Sequence, residues 1–125
     1  MKFVIKEPKR GDIVKVLISN NIYHFGIYLG NDEVVEYGSQ RDFVKANKEN
    51  VVVQKSSMTD FLDGKNVLVA KLSLLEKIKR NSVNKTIKIA LSRLGEAKYD
   101  LFKNNCEHFV NECVFNKHIS YQLKK

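Results

Sequence analysis

A cysteine stands at the predicted start of a helix in the segment Asn104-Asn105-Cys106-Glu107-His108-Phe109-Val110. From this cysteine onward the apolar residues recur at the spacing of one helix face, at Cys106, Phe109, Val110, Cys113 and Val114. Asn104 and Asn105 are good N-cap residues, because an amide oxygen can accept the free N–H groups of the first turn. A thiol in that turn lies beside the positive end of the helix dipole, which favours the reactive thiolate. Cys106 is therefore a candidate nucleophile, although most free cysteines are simply small buried residues.

A cysteine nucleophile generally needs a base beside it, and the chain has three histidines. His108 follows Cys106 by two positions, a rotation of about 200° along a helix, so it is predicted to face away from the thiol. His118 lies beyond the helix with no visible constraint on its position. His24, in a β-branched and aromatic segment, is the remaining candidate for the general base. The structural alternative is a strand histidine that bonds a neighbouring carbonyl.

Side chains alternate along the predicted strand that carries His24. Tyr23, Phe25, Ile27 and Leu29 form its apolar face, and His24, Gly26 and Tyr28 line the other. Because Gly26 has no side chain, another part of the protein can approach closely there. We expect this second face to receive the start of the Cys106 helix.

A carboxylate is predicted to lie across from His24 on the next strand. If Leu29-Gly30-Asn31 forms a three-residue hairpin loop, Glu36 falls directly opposite His24 on the same face, with Cβ atoms about 5 Å apart. Glu36 would then orient the imidazole and stabilise its cation, as the third member of a catalytic triad does. An ordinary cross-strand polar pair is the alternative, and a slip of one residue would move Glu36 to the other face.

The order of elements predicts an α+β fold, with an antiparallel β-sheet packed against helices that follow it. Apolar and β-branched runs bounded by turn residues predict strands at residues 12–18, 22–29, 33–37, 51–54 and 67–72. Ser57-Met58-Thr59-Asp60 resembles a capping box that opens a short helical turn. A longer helix is predicted through Ile87, Ala90, Leu91 and Leu94, ending at Gly95, with a short helical lead-in at Leu74, Leu75 and Ile78.

The formal net charge is +8, but the lysines are scattered along the chain. Only Lys77-Ile78-Lys79-Arg80 and the terminal Lys124-Lys125 approach a cluster. Nucleic-acid binding would predict a concentrated basic stripe with exposed aromatic residues, so no nucleic acid partner is expected. A generally basic surface instead predicts weak attraction to anionic membrane surfaces.

Length and cysteine usage predict a single domain over residues 1–125 in a reducing compartment. On one helix, cysteines seven positions apart have Cα atoms about 10 Å apart, too far for a disulfide. No apolar stretch is long enough to span a bilayer, and no leader peptide is visible. We therefore expect a cytoplasmic, soluble protein with at most peripheral membrane contact. No cofactor is expected, and a metal site made of Cys106, His108 and Cys113 is disfavoured because His108 faces elsewhere.

Three segments of the chain resemble the lecithin retinol acyltransferase family, which includes the HRAS-like suppressor phospholipase/acyltransferases. They are Gly11-Asp12-Ile13-Val14, Tyr23-His24-Phe25-Gly26-Ile27-Tyr28-Leu29-Gly30 and Asn105-Cys106-Glu107-His108-Phe109-Val110. The resemblance covers residues 8 to about 116 and implies a circularly permuted, papain-like thiol hydrolase fold of the NlpC type.

The resemblance also implies a chemistry on lipid acyl esters of the phospholipid type. Cys106 would attack the ester to form a thioester intermediate, with His24 as general base and then general acid. The backbone N–H of Cys106 would serve as an oxyanion donor. The acyl group would pass to water, an amine or an alcohol.

The chain departs from the family pattern in two ways. The family usually has a second histidine twelve residues after the first, where this chain has Glu36. Several members also carry a C-terminal membrane anchor, whereas this chain ends soon after the cysteine helix.

Two other interpretations stay open from the sequence. The related NlpC-type and PPPDE peptidases use the same thiol and histidine chemistry on amide bonds. The residues are also compatible with an inactive binding module, in which Glu36 marks lost catalysis.

Overall fold

A six-stranded, fully antiparallel β-sheet organises the protein, as seen in a computed structural model that describes residues 1–44 and 51–123. The predicted basic pair Lys124-Lys125 lies outside the described residues. In spatial order the strands run β1-β6-β2-β3-β4-β5. Their bounds are β1 Lys2–Val4, β2 Ile13–Ser19, β3 Ile22–Gly30, β4 Glu33–Tyr37, β5 Val53–Ser57 and β6 Leu68–Lys71.

Five helices accompany the sheet among the described residues, and with the sheet they make the α+β fold that the sequence predicts. Their bounds are α1 Gln40–Val44, α2 Met58–Leu62, α3 Leu74–Lys79, α4 Val83–Ser92 and α5 Cys106–Phe115, followed by a 3-10 turn at Tyr121–Leu123. None of the helices in the described part of the chain has the length and apolar character needed to cross a bilayer.

The predicted register of the β3–β4 hairpin is wrong by two positions. Glu36 pairs with Gly26, not with His24. The reason is the turn: Asn31 and Asp32 both have positive φ, 51° and 58°, so they are the two central residues of the hairpin loop, with an irregularity at Gly30. A shift of two residues keeps every side chain on its face, so Glu36 remains on the same face as His24.

The two faces of the sheet are covered by different helices. Phe25 and Ile27 belong to the main core with Phe109 and Val110 of α5, so the body of that helix packs on the apolar face of β3. The opposite face, which carries His24, is covered by Phe61 of α2. The prediction that the His24 face receives the start of the Cys106 helix does not extend to the rest of that helix, which packs on the larger apolar face of β3.

Most predicted elements are present, and the exceptions are short. The strand at Glu33–Tyr37 matches its prediction residue for residue, and the helix at Cys106 begins where the asparagine cap predicts. β1 and α1 were not predicted, because three and five residues respectively are too few to show a periodic pattern. Leu91 and Leu94 are 40% and 44% exposed, and Leu94 lies beyond the end of α4, so only Ile87 and Ala90 of the predicted apolar stripe are buried.

Candidate active site

Cys106 is the first residue of α5, and Asn105 is the N-cap that defines this start. The Asn105 side-chain oxygen accepts hydrogen bonds from the N–H groups of Glu107 and His108, at 2.9 and 3.0 Å. This oxygen does not accept a hydrogen bond from the N–H of Cys106 itself. The predicted cap is confirmed, and the thiol lies in the first turn beside the positive end of the helix dipole.

Polar contacts with the segments before and after α5 hold this first turn in place. The Asn105 amide donates to the Leu101 carbonyl at 3.0 Å and to the Ser120 hydroxyl at 3.2 Å. Ser120 in turn donates to the Glu107 carboxylate at 2.8 Å, and the Gln122 N–H donates to the same oxygen at 3.0 Å. Asn105 and Glu107 are both buried, so these bonds satisfy groups that would otherwise be costly to bury.

His24 and Glu36 form a fully buried pair. The distance from His24 Nε2 to Glu36 Oε1 is 2.7 Å, and the two side chains are 0% and 2% exposed. Because Glu36 lies opposite Gly26, its carboxylate reaches diagonally along the strand to the imidazole. A side chain at position 26 would obstruct this face, since an added Cβ would lie 2.5 Å from Val34 and 3.0 Å from Phe61.

The structure brings Cys106 to the other side of the same imidazole. His24 is hydrogen bonded to the Cys106 thiol as well as to Glu36. With Nε2 engaged by Glu36, Nδ1 is the ring nitrogen left for the sulfur. In this register residue 38 would lie opposite His24. β4 ends one residue earlier, at Tyr37, so no residue of β4 pairs directly with His24.

The surroundings of His24 favour its protonated form. Complete burial on its own would lower the pKa of the imidazole, because it penalises the charge. The hydrogen bonds and charges of Cys106 and Glu36 outweigh that effect and raise the pKa of His24 to about 9. At neutral pH this arrangement favours an imidazolium between the Cys106 sulfur and the Glu36 carboxylate.

Two residues of this region were not identified from the sequence. Gln54 pairs with Glu36 across β4 and β5, and its amide Nε2 lies 3.4 Å from Glu36 Oε2. Phe61 packs against the imidazole with ring centroids 5.4 Å apart. The Ser57 cap and the apolar Phe61 were visible signals of a short buried helix, but nothing local indicated which strand it covers.

The other two histidines form a separate pair away from the thiol. His108 Nδ1 accepts the N–H of Asn105 at 2.9 Å and so completes the helix cap, which agrees with its predicted orientation. Its ring stacks on His118, with centroids 4.3 Å apart. His118, for which the sequence shows no constraint, is held in place because its ring is also bonded to Glu112 and to the Lys103 carbonyl. These contacts raise the pKa of His118, whereas burial lowers that of His108.

Both cysteines are free, as the sequence predicts, and both are buried. Cys113 lies deep in the main core, and burial raises the pKa of its thiol to about 12. The two thiols of α5 therefore have different surroundings, and Cys106 is the one beside an imidazole.

Cavities flank the site on two sides. One, of about 500 Å³, is lined by Glu107, the residue after Cys106, and by Lys15, whose ammonium lies 4.0 and 3.8 Å from the ring centroids of Phe3 and Tyr23. Another, of about 190 Å³, is lined by Glu36 and polar neighbours. Cys106 itself is only 2% exposed. An acyl carbonyl therefore reaches the sulfur only if neighbouring side chains move.

Fold and site together define an α+β protein with a thiol, an imidazole and a carboxylate in hydrogen-bonded series at the start of its last long helix. The family model for lecithin retinol acyltransferase matches residues 6–119. The chain belongs to this family.

Individual relatives agree with that assignment. The chain is 30% identical to lecithin retinol acyltransferase of Mus musculus and 33% identical to that of Homo sapiens, in each case over 93% of this chain and 58% of the relative. It is 29% identical to phospholipase A and acyltransferase 3 of Homo sapiens, over 99% of this chain and 81% of the relative. The chain thus spans 58% of the length of the first two proteins.

Proposed function

We propose that this protein is a cysteine-dependent acyltransferase or acyl hydrolase that acts on lipid acyl esters of the phospholipid type. Family membership and the names of its relatives support acyl transfer and a lipid substrate. The observation that carries the proposal is the hydrogen-bonded series Cys106, His24 and Glu36, buried at a helix N-terminus. We assign Cys106 as the nucleophile, His24 as the general acid and base, and Glu36 as the group that orients His24.

In the acylation step the Cys106 sulfur attacks the carbonyl carbon of the ester. A C–S bond forms while the carbonyl π electrons move to the oxygen, which gives a tetrahedral oxyanion. The N–H of Cys106 donates to that oxyanion, at the positive end of the helix. When the oxyanion collapses, the ester C–O bond breaks, and the leaving alkoxide takes a proton from the His24 imidazolium. The products are a thioester on Cys106, a free alcohol and a neutral imidazole.

In the second step an acceptor releases the acyl group. Water, an alcohol or an amine approaches the thioester, and neutral His24 removes a proton from it as it attacks. The C–S bond breaks, and the thiolate and the imidazolium are restored. Hydrolysis and transfer thus differ only in the acceptor.

Glu36 keeps the imidazole in the orientation that both steps need. Its 2.7 Å bond to Nε2 directs Nδ1 toward the sulfur, and its charge compensates the imidazolium in a buried setting. We infer that glutamate performs the function that a second histidine has in the usual family pattern, and we therefore expect activity to be retained.

Mass spectrometry of the intact protein tests the proposal directly. The protein is incubated with mixed phospholipids, and separately with short acyl esters, and is then acid-quenched. We expect an added acyl mass that peptide mapping places on Cys106. The added mass should disappear in Cys106→Ala and persist in Cys113→Ala, a matched control on the same helix.

The same experiment separates the proposal from its alternatives. Acyl-enzyme formation from amide substrates but not from esters would identify an amidase or peptidase. A folded protein that forms no adduct with any acyl donor would identify a binding module and refute the proposal.

A further inference from the structure

The short helix α3 turns its apolar residues away from the protein. Leu74, Leu75 and Ile78 are 76%, 59% and 72% exposed, and no residue of this helix is buried. A surface helix normally directs its apolar stripe to the core. We name these three residues the α3 apolar face.

Basic residues border this face on both sides. At about 100° per residue, the α3 apolar face covers an arc of about 100° from Leu74 through Ile78 to Leu75. Lys77 lies about 60° beyond one edge and Lys79 about 40° beyond the other. Both lysines are exposed, as is Lys71 just before the helix.

The helix is held in this outward orientation by its polar side. Ser73 and Glu76 form a reciprocal capping box, with bonds of 3.2 and 2.9 Å. The Glu76 carboxylate also lies 3.3 Å from the amino group of Met1. The exposed leucines and isoleucine are therefore part of a capped, anchored element and not a frayed end.

Helix α3 shares two adjoining cavities with the helix that begins at Cys106. Glu76 lines the cavity of about 500 Å³ together with Glu107 and Asn111. Leu75 and Lys79 line the next, of about 440 Å³, again with Asn111. A surface that contacts α3 therefore also contacts the side of the molecule on which these cavities reach α5.

We propose that the α3 apolar face and its bordering lysines dock the protein on an anionic lipid surface. An apolar arc between cationic side chains matches acyl chains below a layer of negative headgroups. A second copy of the chain fits less well, because pairing would bring the same lysines together across an interface. Three aliphatic side chains per copy also fall far short of the roughly 1,200–2,000 Å² that stable interfaces bury. The inference rests on the proposed function, because it identifies the surface through which the protein meets a lipid substrate.

A tryptophan reporter tests the docking surface. The chain contains no tryptophan, so Leu74→Trp carries the sole indole. We expect its emission to shift to shorter wavelength when vesicles of phosphatidylcholine mixed with phosphatidylserine are added. Leu91→Trp, at a 40% exposed leucine of α4, is the matched control and should not shift.

Flotation with the same vesicles measures affinity. Replacing the α3 apolar face with Leu74→Ser, Leu75→Ser and Ile78→Ser should lower the partition coefficient at least about tenfold. Lys77→Glu with Lys79→Glu should lower it by at least about tenfold on anionic vesicles, since each lysine contributes on the order of fivefold there, and little on pure phosphatidylcholine. Unchanged binding by the triple serine variant, no binding by the wild type, or an equal shift in both tryptophan variants would overturn the inference. A concentration-dependent dimer lost in the triple variant would assign the surface to a second copy.

Turnover of a short soluble acyl ester separates this inference from the proposed function. The triple serine variant should retain the wild-type rate on that ester. If the wild type cleaves the ester but the substitutions leave vesicle binding unchanged, only the docking surface is refuted. A wild type that docks through α3 but forms no acyl-enzyme refutes only the function.

Discussion

Replacing Glu36 by glutamine tests the electrostatic role of the buried carboxylate with a minimal change of shape. Glutamine has the same length, and its amide oxygen can still accept from His24 Nε2, which now lies 2.7 Å from Glu36 Oε1. The substitution therefore preserves a hydrogen-bond partner and removes a negative charge. The substitution therefore changes the stability of the His24 imidazolium, which lies between position 36 and the Cys106 sulfur.

The size of the effect follows from the pKa of His24, which the native surroundings raise from 6.5 to about 9. An adjacent opposite charge typically changes a pKa by about one to three, so we expect the pKa of His24 in the variant to be roughly 7. At pH 8 the protonated fraction then falls from about nine-tenths to about one-tenth. At pH 6 nearly all of the imidazole is protonated in wild type and about nine-tenths of it in the variant. The first-turnover rate of Glu36→Gln should therefore be about tenfold lower at pH 8 and within about twofold of wild type at pH 6.

The assay measures the first turnover of a soluble acyl ester through the release of its alcohol, from pH 5 to about 10. This range covers the pKa of His24 in wild type, about 9, and in the variant, roughly 7. Wild type should lose acylation as pH rises through about 9, and the variant at lower pH. Glu33→Gln is the matched control on the same strand, since Glu33 is 45% exposed and lies 3.6 Å from Lys55 Nζ. Exposed pairs of this kind contribute about 0–1 kcal/mol to stability, and this one is remote from the imidazole.

The same pKa has a consequence for stability. Because folding raises the pKa of His24, its charged form stabilises the native state fully below about pH 6.5, and this contribution is lost as pH rises through about 9. Urea unfolding at a series of pH values should show this loss in wild type and a smaller one in Glu36→Gln.

Two outcomes would refute the reasoning about Glu36. An equal loss of rate at pH 6 and pH 8 would mean that the carboxylate acts through geometry alone. Full activity of the variant at every pH would mean that it has no role in orienting or charging His24.

Three further predictions concern the same region. Cys106→Ala and His24→Ala should each abolish ester turnover, whereas His108→Ala should keep most of it and lose about 1 kcal/mol of stability with the helix cap; a folded but inactive His108→Ala would contradict this. Iodoacetamide should label Cys106 faster than Cys113, because burial raises the pKa of the Cys113 thiol to about 12; equal, slow labelling of both would contradict the assignment of Cys106 as the nucleophile. Gly26→Ala places a methyl group 2.5 Å from a side-chain atom of β4, so urea denaturation should show a loss of about 1–3 kcal/mol; wild-type stability would contradict the close packing.

The sequence by itself determined the local elements of this protein and their order. The asparagine before Cys106 and the apolar spacing after it predicted α5, and a run bounded by turn residues predicted Glu33–Tyr37, because caps, turns and short runs depend on neighbouring residues. The shared face of His24 and Glu36 was also predictable, since alternation survives a shift of two residues.

The tertiary structure decided what joins these elements. The turn at Asn31 and Asp32 set the β3–β4 register, and the pairing of β4 with β5 put Gln54 beside Glu36. Packing of the larger apolar face of β3 against α5 left His24 on the side covered by Phe61. The apolar residues at the start of α3 were visible as a helix, but only the fold shows that they face outward. Such contacts depend on how segments far apart in the chain pack together. Local patterns of side chains do not predict that packing.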